Sequence, residues 1–408
     1  MIKQYEIPDV RDGLTSLQRR ILWTMKSMEL TSRKPYRKAQ SVIFEAGKDE
    51  NLDGHHNRSH FSTSDYNLYG ALKTIYDHTM VPLTQKWRHP YPLIEGHGNW
   101  GWVIEDGAAA PIFTECRLTE FTEKALLTGL NQRTVKYIWN PTLKKNEPTV
   151  LPARVPNVLI AGTSGSSHIP PHNLGEVIDA CVAILKNRAL KPEQLLDYIQ
   201  GPDFPTGGTI INKSELREIY QNGAGEIRIR GMMESEPTSK GEKQIIVREI
   251  PYPIIGKVKE FADNLEWMQE FDILPDIKNL EEGPLFQPEE IHITVKRDAD
   301  IQRNMELLYE YTDLESSFDY RALLISNGKP KLMSLHQIMT EWLDFYRETM
   351  TKLNRGTGAL ISALENLSDE SAFAKADFNA SLYNTDRGTG AVIAALENAN
   401  KAKQQNQS

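Results

Sequence analysis

Several things are scarce in this sequence, and each scarcity excludes a class of protein. There are only two cysteines, Cys116 and Cys181, far apart and in no metal-type spacing. That excludes a disulfide scaffold and predicts a reducing, cytoplasmic setting. No run approaches the eighteen or so apolar residues of a membrane span. The start, MIKQYEIPDVRDG, lacks the apolar core of a secretory signal. Excess positive charge is also missing: the net charge is −8, which argues against indiscriminate nucleic-acid binding. The GTSGSS run at 162–167 is glycine-rich but lacks the Gly-Lys-Ser/Thr that gives a phosphate loop its chemistry. His55, His56 and His60 cluster, but with Gly54, Asn57 and Arg58 interleaved they read as a loop, and no metal site is assigned.

What is present is an ordinary globular composition, 39% hydrophobic and 25% charged, on 408 residues, enough for two or three domains. The charge is unevenly spread. Residues 1–40 carry nine Lys and Arg against four Asp and Glu, a local balance of +5. Such a basic segment fits either one nucleic-acid-binding side or a solvated helix face. Leu14, Leu17, Ile21, Leu22, Met25 and Met28 recur at three- and four-residue steps, predicting a helix over 14–28 with Arg19 and Arg20 toward the other side, where phosphates could be met. A second helix is expected to begin at Ser64 or Asp65, through Tyr66, Tyr69, Leu72 and Tyr76. Val158, Leu159 and Ile160 read as a buried strand, followed by a turn at 162–165 and a helix through Val177, Ile178, Cys181, Val182 and Leu185. Strands are expected at 208–212, 226–230, 244–250 and 291–296, with helices over 255–265 and 334–352. Lys296 and Arg297 end the last of these strands. NRGTGALISALENL at 354–367 returns as DRGTGAVIAALENA at 386–399, two copies of a glycine turn and a short amphipathic helix.

The central stretch is EGHGNWGWVIEDGAAAPIFTECRL, residues 95–118. Gly96, Gly98 and Gly101 permit backbone that side chains forbid. This stretch resembles the active-site segment of the A subunit of type IIA topoisomerases (gyrase and topoisomerase IV), which reads roughly DGQGNFG and then AAMRYTE-RL. PDVRDGL with Arg19-Arg20, IPPHN at 169–173, GPDFPT at 201–206 and EIPY at 249–252 resemble the same family, together over about residues 5–350.

The resemblance implies an α+β fold: a winged-helix (CAP-like) breakage-reunion domain over 1–140, with a helix-turn-helix in 33–80, and a tower domain over 141–333. The start of a coiled-coil arm follows over 334–353, then a divergent helical tail with the repeat over 354–408. It implies double-stranded DNA as partner, with Arg11, Arg19, Arg20, Arg33, Lys34, Arg37, Lys38 and Arg117 as phosphate contacts. It implies no cofactor in this chain, with magnesium and ATP expected on a gyrase B or topoisomerase IV B-type subunit. Pairing with itself or with another A-type chain is open, and no membrane contact is expected.

The resemblance also implies catalytic groups that are missing. Phe113 stands at the position of the family tyrosine that attacks a DNA phosphate, and Ile112 at that of its neighbouring arginine. Tyr5 replaces an upstream arginine, Phe61 and Thr63 replace two histidines, and Thr15 and Gln18 stand at a lysine and a histidine. The family's base-pair-wedging isoleucine falls in a stretch this sequence lacks. A benzyl ring has no nucleophilic atom, so covalent catalysis at Phe113 is excluded. Tyr66 and Tyr69 are the candidate substitutes, neither with a basic neighbour in sequence. Three readings remain open: a DNA-binding, non-cleaving pseudoenzyme, an interaction protein or decoy pairing with a gyrase or topoisomerase IV partner, and a decaying duplicate.

Overall fold

The computed structural model describes residues 6–47, 72–102, 107–141, 143–237, 243–254, 258–278, 286–287 and 290–353. Helix α1 (Ser16–Ser27) is the first expected helix, and its buried stripe includes Ile21, Leu22 and Met25. Thr15 and Gln18 close a capping box at its start: Thr15 N–H donates to Gln18 Oε1 at 2.9 Å, and Gln18 N–H to Thr15 Oγ1 at 3.3 Å. Just before it, Gly13 sits at φ +69°, and a Cβ there would lie 2.4 Å from Val158 N. Only glycine fits that turn.

Strand β1 (Arg37–Lys38) runs into α2 (Ala39–Ala46). Residues 72–75 are helical and continue as a π-helical turn, Tyr76–Met80. The expected start of this helix at Ser64 or Asp65 lies outside the described residues. Strands β2 (Ile94–His97) and β3 (Glu115–Leu118) complete an antiparallel sheet in the order β1-β3-β2. Leu14, Ile21, Leu22, Met25, Val42, Ile43, Ile94, Cys116 and Leu118 form one core between this sheet and the two helices. Full burial of such a side chain contributes about 1.5–3 kcal/mol.

A hairpin of β4 (Tyr137–Asn140) and β5 (Lys145–Pro148) follows. The strand expected at 158–160 is instead a single helical turn, α3 (Asn157–Ile160). Its apolar run is too short to carry a period, and Ile160 N–H bonds back to Pro156 O at 3.3 Å rather than to a neighbouring strand. Helix α4 (Leu174–Lys186) lies where expected, capped by Asn173, whose side chain accepts from Gly175 and Glu176 N–H.

The later strands divide between two larger sheets and one separate hairpin. β6 (Thr209–Ile210), followed by helix α5 (Leu216–Asn222), pairs with β7 (Ala224–Arg230). The other sheet has the order β10-β11-β9-β8, from β8 (Met232–Pro237), β9 (Lys243–Glu249), β10 (Phe286–Gln287) and β11 (Glu290–Val295). It packs with α6 (Val258–Glu270) and α7 (Ile301–Tyr311) around Ile245, Val247, Phe261, Leu265, Ile293 and Leu308. β12 (Glu315–Arg321) returns to pair with β7, and a hairpin of β13 (Leu323–Ser326) and β14 (Lys329–Leu332) leads into α8 (Leu335–Leu353).

A third core joins the two ends of the described chain: Val10 packs with Val158, Val177, Ile227, Phe318 and Trp342. Val10 N–H donates to Ile325 O at 3.1 Å, and Ile325 N–H to Pro8 O at 2.8 Å. The sequence motifs converge beside it. Phe204 of GPDFPT, Tyr252 of EIPY and Phe318 hold their ring centroids 5.4–6.0 Å apart. Tyr252 O–H reaches Arg88 O at 3.0 Å, and Asp203 N–H reaches Pro171 O at 2.8 Å. The repeat at 354–399 lies outside the described residues.

Candidate nucleic-acid interface

The glycine turn after β2 works by two different means. Gly98 and Gly101 adopt φ of +94° and +90°. Gly96 is needed for space instead, since a Cβ there would meet the Trp100 ring at 2.5 Å. Trp100 is buried, its indole N–H donating to His97 O at 3.2 Å.

The return segment to β3 is bolted down. The first two amides of α2 are taken by it: Ala39 N–H donates to Thr114 O, and Gln40 N–H to Pro111 O, both at 3.0 Å. Phe113 N–H donates to Ala110 O at 2.8 Å. Buried Thr114 places its hydroxyl 2.8 Å from that of Tyr76, which also donates to Ala109 O at 2.9 Å. Burial pushes the Tyr76 phenol up to about 12, so it stays neutral and engaged. From this fixed turn Ile112 and Phe113 stand into solvent, 51% and 72% exposed.

The eight cations read from the sequence fall into two groups. Arg33, Lys34 and Arg37 are exposed and, among the described residues, have no carboxylate partner. The other five are engaged within the fold. Arg19 is the clearest correction: it is buried, not on an outward side. Its Nε and Nη2 donate to Asp12 at 2.6 and 2.9 Å, and Nη2 also reaches Leu14 O at 2.9 Å. Burial pulls its pKa down, but the Asp12 charge and hydrogen bonds outweigh that, leaving it above the ordinary value. Arg20 is a second correction, held by two 3.0 Å hydrogen bonds to Glu147 of β5. Arg11 pairs with Asp9 at 2.8 Å and lies over the Phe345 ring. Lys38 pairs with Glu115 at 3.0 Å.

Arg117 organises the basic segment. It donates twice to Glu95, reaches Lys34 O at 3.1 Å, and lies 4.3 Å over the Tyr36 ring. Tyr36 O–H also donates to Glu95. The Arg117 hydrogen bonds hold the Glu95 carboxyl below its ordinary range, and the Glu95 bond raises the Tyr36 phenol.

The family model for the A subunit of DNA gyrase and topoisomerase IV matches residues 6–405. The chain belongs to that family. It is 37% identical over 352 residues to the chloroplastic/mitochondrial DNA gyrase A subunit of Nicotiana benthamiana, covering 83% of this chain and 35% of that protein. It is 35% identical over 361 residues to the DNA topoisomerase 4 A subunit of Staphylococcus epidermidis, covering 87% and 42%. With the DNA gyrase A subunit of Streptococcus pneumoniae it shares 34% over 359 residues, 86% and 40%. The chain thus spans about a third to two fifths of the length of these relatives. The family match runs past residue 350, where the resemblance read from the sequence stops.

Other family positions singled out in the sequence, Tyr5, Phe61, Thr63, Tyr66 and Tyr69, lie outside the described residues, as do His55, His56 and His60. Among the described residues no group of three or more His, Cys, Asp or Glu could hold a metal ion, and no helix is long and apolar enough to cross a membrane. Sequence reasoning missed Glu95 and Tyr36 as partners of Arg117. The available signal was strand alternation, which sets Glu95 directly across from Arg117 in register.

Proposed function

We propose that this chain, akin to the gyrase and topoisomerase IV A subunits, binds duplex DNA through the face carried by β1, β3 and the turn between β2 and β3, and does not open the duplex. What supports this reading is Phe113, 72% exposed, a phenylalanine where the sequence resemblance puts the family's tyrosine. Cleavage by the family chemistry would exchange a phosphodiester for a phosphotyrosine ester, and a benzyl side chain offers no oxygen for that bond. Ile112 supplies no charge to stabilise the developing anion. Two phenols belong to the same assembly, but Tyr76 is buried and Tyr36 donates its hydroxyl to Glu95. Arg33, Lys34 and Arg37 supply the electrostatic contact, and Arg117 acts by positioning the segment that bears them.

The winged-helix, tower and coiled-coil divisions at 1–140, 141–333 and 334–353 then hold as in the family. Magnesium and ATP belong to a B-type partner. Homodimer and heterodimer with an A-type chain both fit.

A second reading, an interaction protein or decoy that pairs with a gyrase or topoisomerase IV partner, draws support from the cations. Five of the eight residues expected at phosphates are engaged by carboxylates of this same chain. The deciding experiment mixes the protein with supercoiled plasmid, a B-type partner, magnesium and ATP, then traps with detergent and protease. The first reading expects salt-dependent binding and no covalent adduct. An adduct would overturn it.

A further inference from the structure

We infer that Ile112 and Phe113 form an apolar wedge that enters between base pairs of bound duplex, so that the site of lost chemistry deforms DNA mechanically. This rests on the DNA-binding reading above and adds a contact that reading does not require.

Three observations carry it. The first is exposure: two adjacent large apolar side chains at 51% and 72% project from one turn, while Pro111 and Thr114 on either side are buried. The second is rigidity. Both flanking carbonyls accept from α2, Phe113 N–H is taken by Ala110, and Thr114 is anchored through Tyr76. Presenting a side chain from a fixed turn lowers the ordering cost of contact. The third is the surrounding charge. Arg37 lies two residues before Ala39, whose amide holds the turn, and the Lys34 carbonyl, next to Arg33 in the chain, is held to β3 by Arg117.

An apolar pair beside Arg33, Lys34 and Arg37, which have no carboxylate partner among the described residues, matches a polyanion with an apolar interior. Phosphate itself is not what the turn is built to meet, because the first two amides of α2 are already occupied by its carbonyls. What remains for Phe113 is the stacked base step. Apolar side chains inserted there partly unstack it and kink the duplex, the cost offset by added contact.

The test relaxes covalently closed supercoiled plasmid with a type I topoisomerase in the presence of the full chain, then strips the protein and reads linking number. Wild-type protein is expected to shift the linking number in proportion to protein bound. An Ile112→Ala/Phe113→Ala variant is expected to lose that shift and about tenfold in affinity, while keeping the same slope of affinity against salt. Phe113→Trp is expected to retain the shift. Thermal melting checks folding, and Phe113→Gln replaces the double variant should that one melt early. Salt-dependent binding with an unchanged shift in the alanine variant, or no shift in the wild type, overturns the wedge and leaves DNA binding standing. Absence of salt-dependent binding in every variant overturns both.

Discussion

Glu95 and Arg117 face each other across β2 and β3, joined by two hydrogen bonds of 2.8 Å. The pair is partly exposed, so its worth is limited by water and salt. A double-mutant cycle with Glu95→Ala and Arg117→Ala should give a coupling of about 0.5–1 kcal/mol by urea unfolding at low salt. The coupling should shrink as ionic strength rises. A coupling near zero at low salt would remove Arg117 as the organiser of the basic segment.

The buried pair behaves differently. Asp12 is fully buried and, besides Arg19, accepts from Leu14 N–H at 3.2 Å and Leu151 N–H at 2.8 Å. Asp12→Ala would strand the Arg19 charge and two amides, at a cost of about 3–5 kcal/mol. Denaturant midpoints of the two proteins measure it; a loss under about 1 kcal/mol would mean that water reaches the site.

His172 sets an acid limit on stability. Burial pushes its imidazole down to about 4, with Nε2 2.9 Å from the Tyr220 hydroxyl. The unfolded chain takes up that proton at the ordinary value near 6.5, so between about pH 4 and 6.5 the unfolded state binds more protons. Stability from this group is therefore fully present above about pH 6.5 and falls as pH drops to about 4, by roughly 3 kcal/mol. Unfolding curves across that window, compared with His172→Gln, should show the variant with a shallower fall.

Three cations carry the expected salt dependence. Replacing Arg33, Lys34 and Arg37 with Gln should lower the slope of log affinity against log salt by about 2–3. Fluorescence anisotropy on a duplex oligonucleotide reads this. An unaltered slope would move the DNA contact elsewhere on the molecule.

Returning the hydroxyl should not return the reaction. Phe113→Tyr changes an exposed side chain, so stability should move by no more than about 0.5 kcal/mol. No detergent-trapped adduct is expected, because Ile112 still places no cation beside the new phenol. An adduct from this single variant would mean that the remaining scaffold is sufficient.

The helices were legible where an amphipathic period ran for three turns or more, as in α1, α4 and α8. The one-turn α3 was not, since four buried residues in a row look alike in a strand and a helix. The motif residues were legible as landmarks but not as roles. Thr15 and Gln18 departed from the family's lysine and histidine, and the structure uses them as a helix cap. Arg19 and Arg20 are adjacent, and periodicity assigned both to an outward side. Their partners, Asp12 seven residues back and Glu147 on a distant hairpin, come from tertiary folding, which spacing along one helix cannot report.

The backbone bonds of Ile325 to Val10 and Pro8 have a consequence for biosynthesis. On the ribosome, the segment around Val10 waits for residue 325 and for α8 to emerge before its packing site is complete. Until then Ile7 and Val10, both buried in the finished fold, are incompletely covered and open to chaperones. Premature termination before that point should yield insoluble product rather than a smaller stable fragment.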